Sequence, residues 1–117
     1  MRKLIASVLV LLAVAAGSAG AATQRTAATT TITVKAGEFF FKFSKTSIPK
    51  PGTVVFSVKN TGHLAHDLKI AGKKTPLIQP GKSATLKAVF TKAGKFTYLC
   101  TVPGHAALGM KGTFTVR

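Results

Sequence analysis

Cys100, His105 and Met110 stand five and five residues apart in the segment Tyr98-Leu99-Cys100-Thr101-Val102-Pro103-Gly104-His105-Ala106-Ala107-Leu108-Gly109-Met110. Cys100 is the single cysteine of the chain and Met110 its one methionine beyond the initiator. A thiolate, an imidazole and a thioether on one short loop are the ligand types that select copper over zinc, calcium or magnesium. A fourth ligand has to come from elsewhere. Gly62-His63-Leu64-Ala65-His66-Asp67-Leu68 offers two more imidazoles. His66 is in phase with Leu68 and Ile70, which turns it inward at the mouth of a strand, whereas His63 follows Gly62 in a turn and reads as solvated. Two imidazoles and one thiolate form a trigonal plane, with Met110 as a weak axial ligand.

Each residue also has a bland reading. Cys100 alone is a small buried hydrophobe, and Met110 alone is a core filler. His105 alone is a loop residue. Its place after Pro103-Gly104, midway between a sulfur on either side, favours ligation. An unpaired thiol in an exported protein invites oxidation, and metal ligation explains its presence better.

The elements that must position these residues alternate with period two and are rich in β-branched residues and Phe. Strands are predicted at Thr31–Val34, Phe39–Phe43, Thr53–Lys59, Asp67–Ile70, Ser83–Phe90, Lys95–Cys100 and Lys111–Val116, with Lys73–Ile78 ambiguous because Pro76 interrupts it. Pro51-Gly52, Pro80-Gly81 and Ala93-Gly94 are turn signals. Val54, Phe56 and Val58 share one face, as do Ala84, Leu86, Ala88 and Phe90. Seven to eight short strands and no convincing amphipathic helix imply an all-β sandwich, antiparallel or mixed, with Greek-key connections.

Composition narrows the functions. The chain has 117 residues, which allows one domain. One cysteine excludes an internal disulfide framework and a multi-cysteine zinc site. Glu38 and Asp67 are the only acids, which argues against paired-carboxylate catalysis and against an oxygen-rich calcium or magnesium cage, and no catalytic residue is assigned. Against those two acids stand 17 Lys and Arg, a formal charge of +15. The lysines are scattered, with only Lys73-Lys74 adjacent, and no aromatic RNA-binding motif occurs, so nucleic acid is not the expected partner. A strongly basic surface is expected to steer a monomer toward an acidic redox partner or an anionic envelope surface.

The amino terminus reads as an address. Met1-Arg2-Lys3 is basic, Leu4 to Ala16 is an uncharged apolar run, and Ala19-Gly20-Ala21 fits a small-x-small cleavage site. The apolar run of 13 residues spans only about 20 Å, short of the ~30 Å hydrocarbon core. Residues 1–21 are therefore assigned as a secretory signal, 22–30 as a flexible leader and 31–117 as the folded domain. Loss of Arg2 and Lys3 with the signal lowers the charge from +15 to +13. The protein is expected to be exported, to a periplasm, a cell envelope or the exterior.

From Thr31 onward the chain resembles the small cupredoxins, the blue copper family of plastocyanin, azurin, pseudoazurin and rusticyanin. The features that carry the resemblance are Asn60-Thr61-Gly62 leading to His66, Pro80-Gly81, the strand Gly94 to Cys100, and Pro103-Gly104-His105 followed by Met110. The resemblance implies one type 1 copper ion cycling between Cu(I) and Cu(II), with His66, Cys100 and His105 as strong ligands and Met110 as the axial one. It implies electron transfer rather than catalysis, with His105 as the electron port. Several family members have Asn after the first histidine; Asp67 stands there instead. Its N–H is expected to reach the Cys100 sulfur and its carboxylate to accept from Thr101, favouring the oxidised centre. Two other readings stay open: copper storage or delivery in the envelope, and a metal-free accessory module that keeps the fold.

Overall fold

The structure, a computed structural model, describes residues 29–117. The assigned signal and residues 22–28 of the leader lie outside them. Among the described residues nine strands form two sheets: β1 (Thr29–Gly37), β2 (Phe40–Phe43), β4 (Gly52–Asn60) and β7 (Ser83–Phe90) in the order β2-β1-β4-β7, and β3 (Ser47–Ile48), β5 (Lys69–Ile70), β6 (Lys73–Lys74), β8 (Gly94–Leu99) and β9 (Lys111–Val116) in the order β3-β9-β8-β5-β6. The sandwich is mixed. β1 runs parallel to β4 and β3 parallel to β9, while the remaining pairs are antiparallel.

The alternation read from the sequence decides what is inside. Ile32 and Val34 of β1, Val54, Phe56 and Val58 of β4, and Leu86, Ala88 and Phe90 of β7 are buried against Tyr98, Phe114 and Val116 of the second sheet. Phe56 is fully buried between the layers. Its ring meets Phe43 at 5.8 Å and Phe114 at 5.5 Å, both edge-on, the geometry that aromatic quadrupoles favour.

Several strand limits differ from those expected. β1 starts at Thr29, two residues early, because Thr29 and Thr30 pair with Thr53 and Val54. Ser47–Ile48, where no strand was predicted, is a short strand on β9. Asp67–Ile70 shortens to Lys69–Ile70, and Lys73–Ile78 to Lys73–Lys74. Between them the backbone bonds elsewhere: Leu68 accepts from Thr75 N–H at 3.0 Å and donates to the Thr75 hydroxyl at 3.1 Å, and His66 bridges to Ile78. Pro76 has no N–H to continue a ladder. Phe39 leaves the second strand and turns toward the site.

The Phe56 ring fills the seam of both sheets, so its removal leaves a cavity there. Phe56→Ala is expected to cost about 3–5 kcal/mol in denaturant unfolding of the metal-free protein. Val89→Ala, at an exposed position, should stay within ~0.5 kcal/mol of the parent.

Candidate metal centre

Three loops meet at one end of the sandwich. The first joins β4 to β5 and carries His66. Asn60, fully buried at the end of β4, ties it down: its side-chain amide donates to the carbonyls of Leu64 (2.7 Å) and Ile78 (2.9 Å), and its oxygen accepts from Gly62 N–H (2.9 Å). This gives Asn60-Thr61-Gly62 its physical meaning. His63 is exposed and His66 is fully buried.

The second loop runs from Cys100 to Met110. Cys100 N–H donates to the Met110 carbonyl at 3.0 Å, and Met110 N–H donates to the His105 carbonyl at 3.1 Å. His105 N–H in turn donates to Val102 at 3.1 Å. The loop is thus closed on itself, with Cys100 and Met110 buried at its two ends and His105 at its bend, 8% exposed. Gly109 has φ of +122°, and a Cβ there would come within 3.1 Å of the Phe39 carbonyl, so a residue without one is needed.

The donor atoms of His66, Cys100 and His105 all lie within 4.8 Å of one another. His66 Nδ1 faces His105 Nδ1 at 3.1 Å, and Cys100 Sγ is 3.7 Å from His105 Nδ1. Donors bonded to one ion at ~2.0–2.3 Å sit roughly 3–4 Å from each other. Two imidazoles and a soft sulfur at that spacing, shielded from water, suit a copper ion.

The Asp67 carboxylate is tied to the start of the Cys100 loop. One carboxylate oxygen accepts from Thr101 N–H at 2.6 Å and the other from the Thr101 hydroxyl. The N–H groups of Asp67 and Val102 point at the Cys100 sulfur. Burial nevertheless dominates and pushes the Cys100 thiol above its ordinary value, with the Asp67 charge acting in the same sense and the two N–H donors opposing it.

The third loop was not foreseen. Glu38 and Phe39, in the turn between β1 and β2, touch both histidines. Glu38 Oε1 accepts from His63 and Leu64 N–H at 2.6 Å each and lies 3.3 Å from His66 Nε2. Those bonds, led by that from Leu64, hold the Glu38 carboxyl below its ordinary value. The Phe39 ring meets the His105 ring edge-on at 5.0 Å. The one signal of this in the sequence is that Glu38 is one of only two acids.

Comparison with known proteins agrees with this centre. Residues 16–117 match the copper binding proteins of the plastocyanin/azurin family. The chain belongs to that family: it is a cupredoxin, a copper-binding β-sandwich protein. A relative, the copper-resistant cuproprotein CopI of Pseudomonas aeruginosa, is 25% identical over 177 aligned positions that cover 99% of this chain and 98% of CopI. The crystal structure of dithionite-reduced auracyanin from Roseiflexus castenholzii superposes with a TM-score of 0.65 at 26% identity, covering 79% of this chain and 99% of that one. Auracyanin A, a blue copper protein of Chloroflexus aurantiacus, has a TM-score of 0.64 at 22% identity, covering 77% of this chain and all of its own, and supports the fold.

A raised thiol pKa means that Cys100 carries its proton at neutral pH, and a donor set that includes its sulfur must release that proton. Copper affinity is therefore expected to rise about tenfold per pH unit between about pH 7 and pH 8. Competition with a chelator of known pH dependence measures it. An affinity that does not change with pH would exclude the thiol.

Proposed function

We propose that this chain is an exported one-electron carrier that holds a single copper ion through His66, Cys100 and His105, with Met110 as the weak axial ligand. The observation that carries the reading is the convergence of the three donor atoms within 4.8 Å. Side chains already gathered by a hydrogen-bonded frame need little rearrangement between charge states, and small rearrangement favours fast electron exchange. Copper, when bound, supplies the Cu(I)/Cu(II) couple.

The protein groups do the rest. His66 and Met110 are fully buried and Cys100 nearly so, which keeps water and substrates from the donors. A closed donor set leaves no side for a reacting molecule, so the role proposed is transfer and not catalysis. His105 is the donor nearest solvent, and exposed Leu108 and Leu64 on the two adjoining loops offer an apolar contact for a brief encounter. Export is supported by the basic start, apolar run and small-residue site of residues 1–21. Among the described residues no helix is long and apolar enough to cross a membrane.

The partner proposed is an acidic redox protein met by a monomer. Lys42, Lys35 and Lys59 stand side by side on three neighbouring strands, all exposed. The only two acids are turned to the metal centre, where they accept hydrogen bonds from its loops. An anionic envelope surface would be drawn by the same field.

Copper handling is the second reading, favoured by the name of CopI, a copper-resistant cuproprotein. One equivalent of Cu(II) separates them. A carrier is expected to show an intense sulfur-to-copper absorption, lost in Cys100→Ser, and a reversible one-electron voltammogram. Tight Cu(I) binding without a reversible couple would favour handling, and no binding at all would remove both. The charge is tested by electron exchange with hexacyanoferrate anion, which should slow at least ~10-fold from low to physiological ionic strength. A cationic cobalt complex should show the opposite trend.

A further inference from the structure

We infer that Glu38 is a positioning residue that fixes which nitrogen of His66 faces the metal, an inference that rests on the copper centre proposed above. A neutral imidazole carries one proton, on either nitrogen. A carboxylate can only accept, so Glu38 Oε1 at 3.3 Å from Nε2 favours the proton there. The lone pair is then left on Nδ1, the atom that faces His105 Nδ1 at 3.1 Å. A hydrogen-bonded carboxylate behind a ligating imidazole fixes its tautomer and its orientation.

Glu38 is itself held in place. The same oxygen takes the N–H groups of His63 and Leu64 at 2.6 Å, so the carboxylate spans the loop that leads into His66. Gly62 makes room for it: a Cβ at that position would run into the Glu38 carboxylate. Phe39, the next residue, rests its ring edge-on against His105. One turn therefore backs both imidazoles, His66 through a hydrogen bond and His105 through an aromatic contact. The turn on which Glu38 lies is 28 residues from His66 in the chain, and this link is made only in the folded state.

The test compares Glu38→Ala and Glu38→Gln with the parent protein. Ring nitrogen chemical shifts of His66 in the metal-free protein report the tautomer directly, with no copper required. The parent is expected to be protonated on Nε2. Glu38→Ala should shift His66 toward the other tautomer and weaken Cu(II) binding ~10–100-fold. Glu38→Gln keeps an oxygen that can accept the same three N–H groups, so it should keep the tautomer and bind copper within a few-fold of the parent. Should the alanine variant fail to fold, Glu38→Asp, which draws the carboxylate back by one methylene, is read in the same way. A parent ring protonated on Nδ1 would overturn the inference. So would a truncation that leaves the tautomer unchanged, whatever it does to affinity, since removing a carboxylate that merely braced the loop would weaken binding without moving the ring proton. A parent that binds no copper but shows the expected tautomers would instead count against the copper centre alone.

Discussion

Two imidazoles and a thiol packed against one another in a dry pocket are costly unless each is oriented by something else. The structure meets that demand with hydrogen bonds to the frame. His66 is held by Glu38, the Cys100 N–H is tied to Met110, and the His105 backbone is tied to Val102 and Met110. Among the described residues no buried side-chain nitrogen or oxygen lacks a partner. The loops around the site are thus shaped by the donors they must present. The sandwich supplies a rigid base, and short bonded loops carry its rigidity to the centre.

The distribution of acids follows from the same demand. A metal ion brings positive charge into a protein that is already strongly basic, and a uniformly cationic surface opposes its entry. Both carboxylates of the chain stand at the metal site, one behind His66 and one bridged to Thr101 beside Cys100. Each is held by backbone N–H groups, so neither can swing away to pair with a lysine. Negative charge fixed there offsets the lysine field locally. The lysines remain free to act at long range.

What could be read in the sequence was local. Period-two alternation marked the buried faces of β4 and β7, and the Cys100, His105 and Met110 spacing marked the loop. His66 was separable from His63 because it alternates with Leu68 and Ile70, all three buried, although only Lys69–Ile70 forms a strand. Glu38 and Phe39 were not legible in this way. Their roles depend on a contact across 28 positions for Glu38 and on a still longer separation for Phe39. Phe39 in sequence looks like the first member of an alternating strand. The short β3, β5 and β6 were equally hidden, since two-residue strands have no period to detect. β3 pairs on β9, β5 on β8, and β6 only on β5.

The register of β1 on β4 connects these levels. Ile32, Val34 and Ala36 are buried in alternation, and they pair with Phe56, Val58 and Asn60. That pairing ends at Ala36, whose carbonyl accepts from Thr61 N–H at 2.8 Å. Glu38 then follows two residues later, beside the loop at Gly62. A slip of one residue would turn Ile32 and Val34 to solvent, and it would also bring Phe39 or Gly37 to the place of the carboxylate. The apolar core therefore enforces more than stability. By fixing where β1 stops, it delivers one specific acid to one specific imidazole, and the hydrophobic pattern of a strand becomes a constraint on a histidine of the candidate metal centre that the strand does not contain.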